Sequence, residues 1–252
     1  MKRLVCCALL GAAVACGQPA AAVELLTNGS LDVTNANEIV PGFFLPKPTG
    51  WVNVGSRTIG GPYNDSISSE PWAGPAPTPV TTGGASSPPH PEGCGGPDCA
   101  VFFKAFSGTV AQGAATGRLY QDVPATPGLT YTLSGWAGAE ANVLMADATL
   151  QIEFLDASST LISSASLSLL PTLTVDNGQP FDYKQYFVNA VAPAGAVTVR
   201  SSVNMIDGLS NPAGGGQAFV VDDFSLTAVP EPTSLAVAAG AMLALAARRR
   251  VD

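Results

Sequence analysis

Only one of the 252 residues is a histidine, His90, and it lies between prolines in Ser-Pro-Pro-His-Pro. No Gly-x-Ser-x-Gly string occurs, so nothing supports a serine–histidine–acid triad. One imidazole also rules out multi-histidine metal centres. Carboxylates remain for acid–base work. Glu140, Asp147, Glu153, Asp156 and Asp182 could supply the pair that glycoside hydrolysis requires. No residue string marks such a pair, and 17 acids lie between the terminal segments, so chance pairing is easy. A non-catalytic protein is therefore expected.

Cys6, Cys7 and Cys16 sit in the first 22 residues, which leaves Cys94 and Cys99 in Cys-Gly-Gly-Pro-Asp-Cys. In an exported chain a lone pair this close reads as a disulfide, contributing roughly 2 kcal/mol for so short a loop. Zinc would need two further ligands, and the spacing is not the C-x₂-C of redox sites.

Binding chemistry is better supplied. Sugars stack their C–H faces on aromatic rings and need planar polar partners for their hydroxyls. Trp136 should share an outward strand face with Thr132 and Ser134, opposite Leu133. Gln151 and Glu153 should occupy the same kind of face on the following strand. Trp72 and Tyr63 lie at or near a long loop. These five are the candidate ligand contacts.

The elements that would position them are strands. Residues 118–123 alternate Leu119, Gln121 and Val123 against Arg118, Tyr120 and Asp122. In 130–136, Tyr131 and Leu133 share one face. In 148–155, Leu150, Ile152 and Phe154 point inward and Gln151 and Glu153 outward. Further strands are expected at 100–106, 161–169, 183–191, 197–203 and 217–228. Period-two alternation broken by turn residues about every ten positions signals an all-β sandwich or barrel. Residues 71–99 hold 8 prolines and 6 glycines in 29 positions and read as a long loop insertion.

The two ends read as addresses. Residues 1–22 have a basic start, an apolar run and Ala20-Ala21-Ala22, the anatomy of a secretory signal cut by signal peptidase. A signal helix and a C-terminal hydrophobic helix are expected to flank the body. Pro230-Glu231-Pro232 is followed by an apolar stretch, 234–247, and by Arg248-Arg249-Arg250. Such a stretch is short for a bilayer, and the arginines should stay cytoplasmic.

That triplet resembles the PEP-CTERM sorting signal of Gram-negative bacteria. The resemblance implies transient inner-membrane anchoring through 234–247, recognition by an exosortase, and delivery to the outer surface or an exopolysaccharide matrix. Within the body, ELLTNGSLDV (24–33) with Gly50-Trp51, LYQDVPATPGLTYTLSGW (119–136), APAGAVTVR (192–200) and VVDDFSLT (220–227) follow one another. Together they resemble the carbohydrate-binding-type, galactose-binding-like jelly rolls. The resemblance implies a jelly-roll β-sandwich over 23–228, a sorting segment over 229–252, and extracellular polysaccharide as partner. It also implies a structural Ca²⁺ that joins the first and last strands. By position its ligands would be Asp32 and Asp222 or Asp223, with backbone oxygens of the turn from Asn28 to Ser30.

Charge separates the cargo from its addresses. The whole chain carries -8 with a pI near 4.5 and a mean hydropathy of +0.27. Five of the 11 basic residues lie in the ends against two of the 19 acids, so the body carries 6 − 17 = -11. A body this acidic lacks the basic footprint of a nucleic-acid binder.

Overall fold

Alternation of the expected kind is what the strands show. In Ala115–Pro124 the side chains of Ala115, Leu119 and Gln121 are buried, while Thr116, Arg118, Tyr120 and Asp122 are not. The computed structural model describes residues 22–35, 46–56, 100–105, 113–173, 183–213 and 216–230 in full. Residues 38–40, 43–44, 57, 67–71, 99 and 175–176 are described as strand backbone. The signal segment up to residue 21, Tyr63, Trp72, His90, Cys94 and everything beyond Pro230 lie outside the described residues. So do Asp182, the two terminal helices and any pairing of Cys94 with Cys99.

Sixteen strands are described. The first eight are β1 Val23–Glu24, β2 Thr34–Asn35, β3 Glu38–Val40, β4 Phe43–Phe44, β5 Lys47–Pro48, β6 Val52–Arg57, β7 Ile67–Pro71 and β8 Cys99–Phe103. The rest are β9 Ala115–Pro124, β10 Leu129–Glu140, β11 Asp147–Leu155, β12 Leu161–Ser168, β13 Val175–Asp176, β14 Lys184–Val191, β15 Thr198–Gly208 and β16 Phe219–Pro230. A single 3-10 turn, Leu170–Thr172, is the only helical element among the described residues.

The strands form two main sheets that share one core. The seven-stranded sheet runs β13-β10-β16-β8-β7, with β14 on β10 and β1 on β16. The five-stranded sheet runs β12-β11-β15-β9-β6 and is antiparallel throughout. Leu133, Tyr131, Phe219, Val221 and Leu226 of the first sheet meet Leu150, Ile152, Phe154, Val199 and Val203 of the second in a single apolar cluster. Tyr131 and Phe154 pack edge to face at 5.6 Å across it. The molecule is a β-sandwich.

Two boundaries differ from expectation. Pro71 and Cys99 are paired ends of β7 and β8, so both end residues of the expected 71–99 loop are strand backbone. Proline is tolerated there because β7 is an edge strand and Pro71 its last residue. Val229 and Pro230 pair with Thr130 and Leu129, so the sandwich runs to Pro230 and not to 228. The first proline of the tail motif thus closes the last strand.

The opening motif is a clasp rather than a strand. Asn28 adopts φ +53° and Leu31 φ +63°. The Asn28 side chain donates to the carbonyls of Val33 and Thr49 and accepts from the Val33 N–H. The Trp51 indole donates to the Asn28 carbonyl at 2.9 Å and its ring packs on Phe224 at 5.4 Å. From the far sheet, the buried Gln121 amide accepts from Thr27 N–H at 2.7 Å and donates to Thr27 and Gly50 carbonyls. A side chain thereby satisfies backbone groups that no strand reaches.

Candidate functional site

The outer face of the five-stranded sheet carries the densest polar arrangement. Leu119, Leu150, Ile152, Val199 and Val203 point into the core, so Arg118, Tyr120, Asp122, Gln151, Glu153, Arg200, Ser202 and Asn204 lie on the other face, where Glu153, Ser202 and Asn204 are buried and the rest partly or fully exposed. The register sets them in rows across three strands. Tyr120 stands opposite Ser202, which stands opposite Gln151; Asp122 stands opposite Arg200, which stands opposite Glu153.

Tyr120 is the centre of this face. The Arg200 guanidinium lies over its ring at 4.1 Å, and that of Arg118 at 5.3 Å. A guanidinium stacked on a ring extends the planar surface the ring offers. Each arginine is held by an acid. Arg200 makes a two-pronged contact with Asp122, Nε to Oδ1 at 2.6 Å and an Nη to Oδ2 at 2.7 Å. That hydrogen bond raises the Arg200 pKa above its ordinary value, so the guanidinium stays charged. Arg118 pairs with Glu153 and also donates to the Ser202 hydroxyl at 3.3 Å. Its Nε is buried without an acceptor among the described residues. Asn204 donates to Thr149 at 2.9 Å and to Gln151 at 3.5 Å. Two arginines and two acids cancel, so this face is locally neutral on a body of net −11.

Gln151 and Glu153 are therefore where expected, but Trp136 is not beside them. Trp136 faces outward, opposite Asp222 and Gln185, on the other sheet. It is half-buried and packs against Ala100, Phe102, Tyr183, Ala218 and Val220. Trp136 and the pair Gln151 and Glu153 each face outward but on opposite sides of the sandwich, because β10 and β11 are consecutive in sequence but belong to opposite sheets. Alternation gives the face a residue points to within its strand, not the sheet that strand joins. Arg118, Tyr120, Asp122 and Arg200 did not stand out as site residues in the sequence. A signal was present: the body has only six basic residues, and two of them flank one outward tyrosine.

The five expected metal ligands come together only in part: Asp223 and Asp32 meet beside the turn, and Asp222 lies elsewhere. Asp222 is buried and lies by Tyr183, whose phenol is pushed well above its ordinary pKa by burial first and by Asp222 and Asp223 next. Asp223 is the extra residue of a β-bulge, because Ser134 pairs Ser225 while Trp136 pairs Asp222. It sits at φ +46° and faces Asp32. The turn carbonyls are already engaged: Asn28 accepts from Leu31 N–H and the Trp51 indole, and Gly29 from Phe224 N–H at 2.8 Å. Among the described residues no three His, Cys, Asp or Glu side chains gather as a metal site. Ca²⁺ takes six to eight oxygens from carboxylates, carbonyls and water, so Asp32, Asp223 and the turn would hold it only with water completing the shell.

Burial first, and the Asp32 charge second, raise the Asp223 pKa. The folded state then holds the proton more tightly than the unfolded one, and stability falls as pH rises from the ordinary carboxylate value through the raised one. Asp223→Asn keeps a side chain that tolerates positive φ. Its thermal midpoint in chelator should exceed that of the unaltered protein at pH 7, with the gap closing in acid. A lower midpoint for the variant at pH 7, appearing only with added calcium, would instead reveal a bound ion.

The candidate catalytic acids are dispersed. Glu140 accepts from Ala218 N–H, Asp147 from Ala148 N–H and the Ser168 hydroxyl, and Asp156 from the N–H groups of Ser158 and Thr160. Glu140 and Asp147 tie separate segments together, and Asp156 stabilises its own turn.

No protein-family model and no curated protein matches the chain. Among solved structures, the chain is similar to the enzymatically active domain of tailspike protein 4 of bacteriophage CBA120. Identity is 14%, TM-score 0.46, with 82% of this chain and 21% of that one covered. An arabinose-bound α-L-arabinofuranosidase gives 13%, 0.46, 81% and 26% in the same order. The chain thus spans about a fifth to a quarter of those two proteins. The CBM22-1 xylan-binding domain of Paenibacillus barcinonensis Xyn10C gives 10% and 0.40, with 80% of this chain and 92% of that domain covered. At such identities and scores, no ligand or activity passes from these proteins to this chain.

Proposed function

We propose that the protein is a non-catalytic, exported polysaccharide-binding protein whose ligand lies along the outer face of the five-stranded sheet. The observation that supports this most is Tyr120 with Arg200 stacked over it at 4.1 Å, near the partly exposed amide of Gln151. Flat surfaces take the C–H face of a sugar ring, and amides, carboxylates and guanidinium N–H groups supply directed partners for its hydroxyls. The acids that could do chemistry on this face, Asp122 and Glu153, are each paired with an arginine, which suits recognition better than proton transfer.

The two ends supply the address in this reading. Signal peptidase removes 1–22. An exosortase acts at the tail, leaving the sandwich at the outer surface or in the extracellular matrix. Affinity electrophoresis of the purified chain tests the binding claim, with mixed-linkage β-glucan, arabinoxylan, galactan, alginate and polygalacturonate cast in separate gels. Retardation by at least one polymer is expected. Unchanged mobility in all five would count against the reading.

A further inference from the structure

A second exposed aromatic lies on the opposite side of the molecule. Phe187 is 53% exposed in the middle of β14, which among the described residues ladders only with β10 and so edges the seven-stranded sheet. Its strand neighbours Tyr186 and Val188 are in the core, which turns Phe187 outward together with Gln185 and Asn189. Both amides are exposed, and neither side chain makes a hydrogen bond among the described residues. Across the ladder, Ser134 stands opposite Phe187 and Ser225 opposite Ser134, while Thr132 stands opposite Asn189.

We infer that this strip is a second polysaccharide site, so that one sandwich ties two polymer chains together. The inference rests on the polysaccharide reading above for its class of ligand and goes beyond it in number of sites. The strip joins one exposed ring to amides and hydroxyls, and on β14 and β10 its Phe187 and Asn189 rows carry no charge, the nearest acid in them being Glu24 on β1 beyond Thr227. A protein partner would more commonly be met by a contiguous apolar patch, and an anionic polymer by cations. A ring flanked at two-residue spacing by unspent planar amides suits a neutral sugar chain lying along the strand. The two outer faces are separated by the thickness of a two-sheet sandwich, so the same stretch of polymer cannot occupy both.

The test uses the purified full chain with mixed-linkage β-glucan, arabinoxylan and galactan, read by affinity electrophoresis and by light scattering of the dilute polymer. The unaltered protein should enlarge the scattering particles at intermediate protein-to-polymer ratios and disperse them in excess, as a bivalent linker does. Phe187→Ala, at an exposed position, should fold normally. It should still be retarded by the polymer, bind the second site about tenfold more weakly and lose the enlargement. Phe187→Tyr should restore it. Enlargement unchanged in Phe187→Ala would overturn the inference and leave the first site standing. Retardation without enlargement by the unaltered protein would overturn it too. Mobility unchanged in every gel would overturn both. A dimer that forms without polymer and is lost in Phe187→Ala would make the strip a protein interface and overturn the inference.

Discussion

Gly29→Ala should lower the thermal midpoint by about 10 °C, the equivalent of about 3 kcal/mol for a chain of this size. A Cβ built on Gly29 comes within 2.2 Å of the Phe224 carbonyl oxygen, which is backbone and cannot swing aside. The same glycine accepts the Phe224 N–H, so relieving the clash breaks the hydrogen bond that seats the opening turn on the last strand. Trp51 would follow, since its indole is bonded to Asn28 and its ring rests on Phe224. Differential scanning calorimetry reads the effect. A midpoint within two degrees of the unaltered protein would show that the turn can move away without loss.

The second large effect concerns binding. Tyr120→Ala should weaken retention on the retarding polysaccharide about thirtyfold or more, corresponding to roughly 2 kcal/mol or above. The loss would have two sources: the ring itself, and the guanidinium groups that rest on it. Arg200 would keep Asp122 but lose the surface that holds it flat. Stability should change little, because Tyr120 faces outward and belongs to neither apolar cluster. Arg200→Lys separates the two contributions. It keeps the charge beside Asp122 but removes the planar fork, so an intermediate affinity is expected. Affinities equal to the unaltered protein in both variants would move the ligand off this face.

Much of the fold was legible in the sequence because alternation is local. The phases read for 118–123, 130–136 and 148–155 are those in the structure, down to inward Leu133 and outward Gln151. The motif residues that suggested a jelly roll also have a visible reason. Asn28, Gly29, Trp51 and Gln121 form the clasp between the chain start and the last strand, and their identities are fixed by hydrogen bonds and close contacts. Gly135 belongs to the same set, since a Cβ there would come within 2.5 Å of the Phe224 ring.

The site was legible only in part. Which strands share a sheet depends on long-range pairing, and that pairing separated Trp136 from Gln151 and Glu153 while bringing Tyr120 to Arg200, 80 positions away. Tyrosines fall at both Tyr183 and Tyr186, so alternation alone gives residues 182–186 no single phase. Tyr186 points into the main core and Tyr183 into the small outer cluster, so both are buried on opposite faces of the sheet. That split is what turns Phe187 outward. Carbonyls of the opening turn could be assigned to an ion by position, but their engagement by Leu31, Trp51 and Phe224 appears only in three dimensions.

Oxidative footprinting of the protein with and without its retarding polysaccharide tests the central claim most directly. Tyr120 is partly exposed and Tyr131 is fully buried, so the two serve as probe and internal control. Polymer should suppress oxidation of Tyr120 several-fold and leave Tyr131 unchanged. Equal oxidation of Tyr120 in the bound and free protein, under conditions where retention is complete, would contradict a ligand on the outer face of the five-stranded sheet.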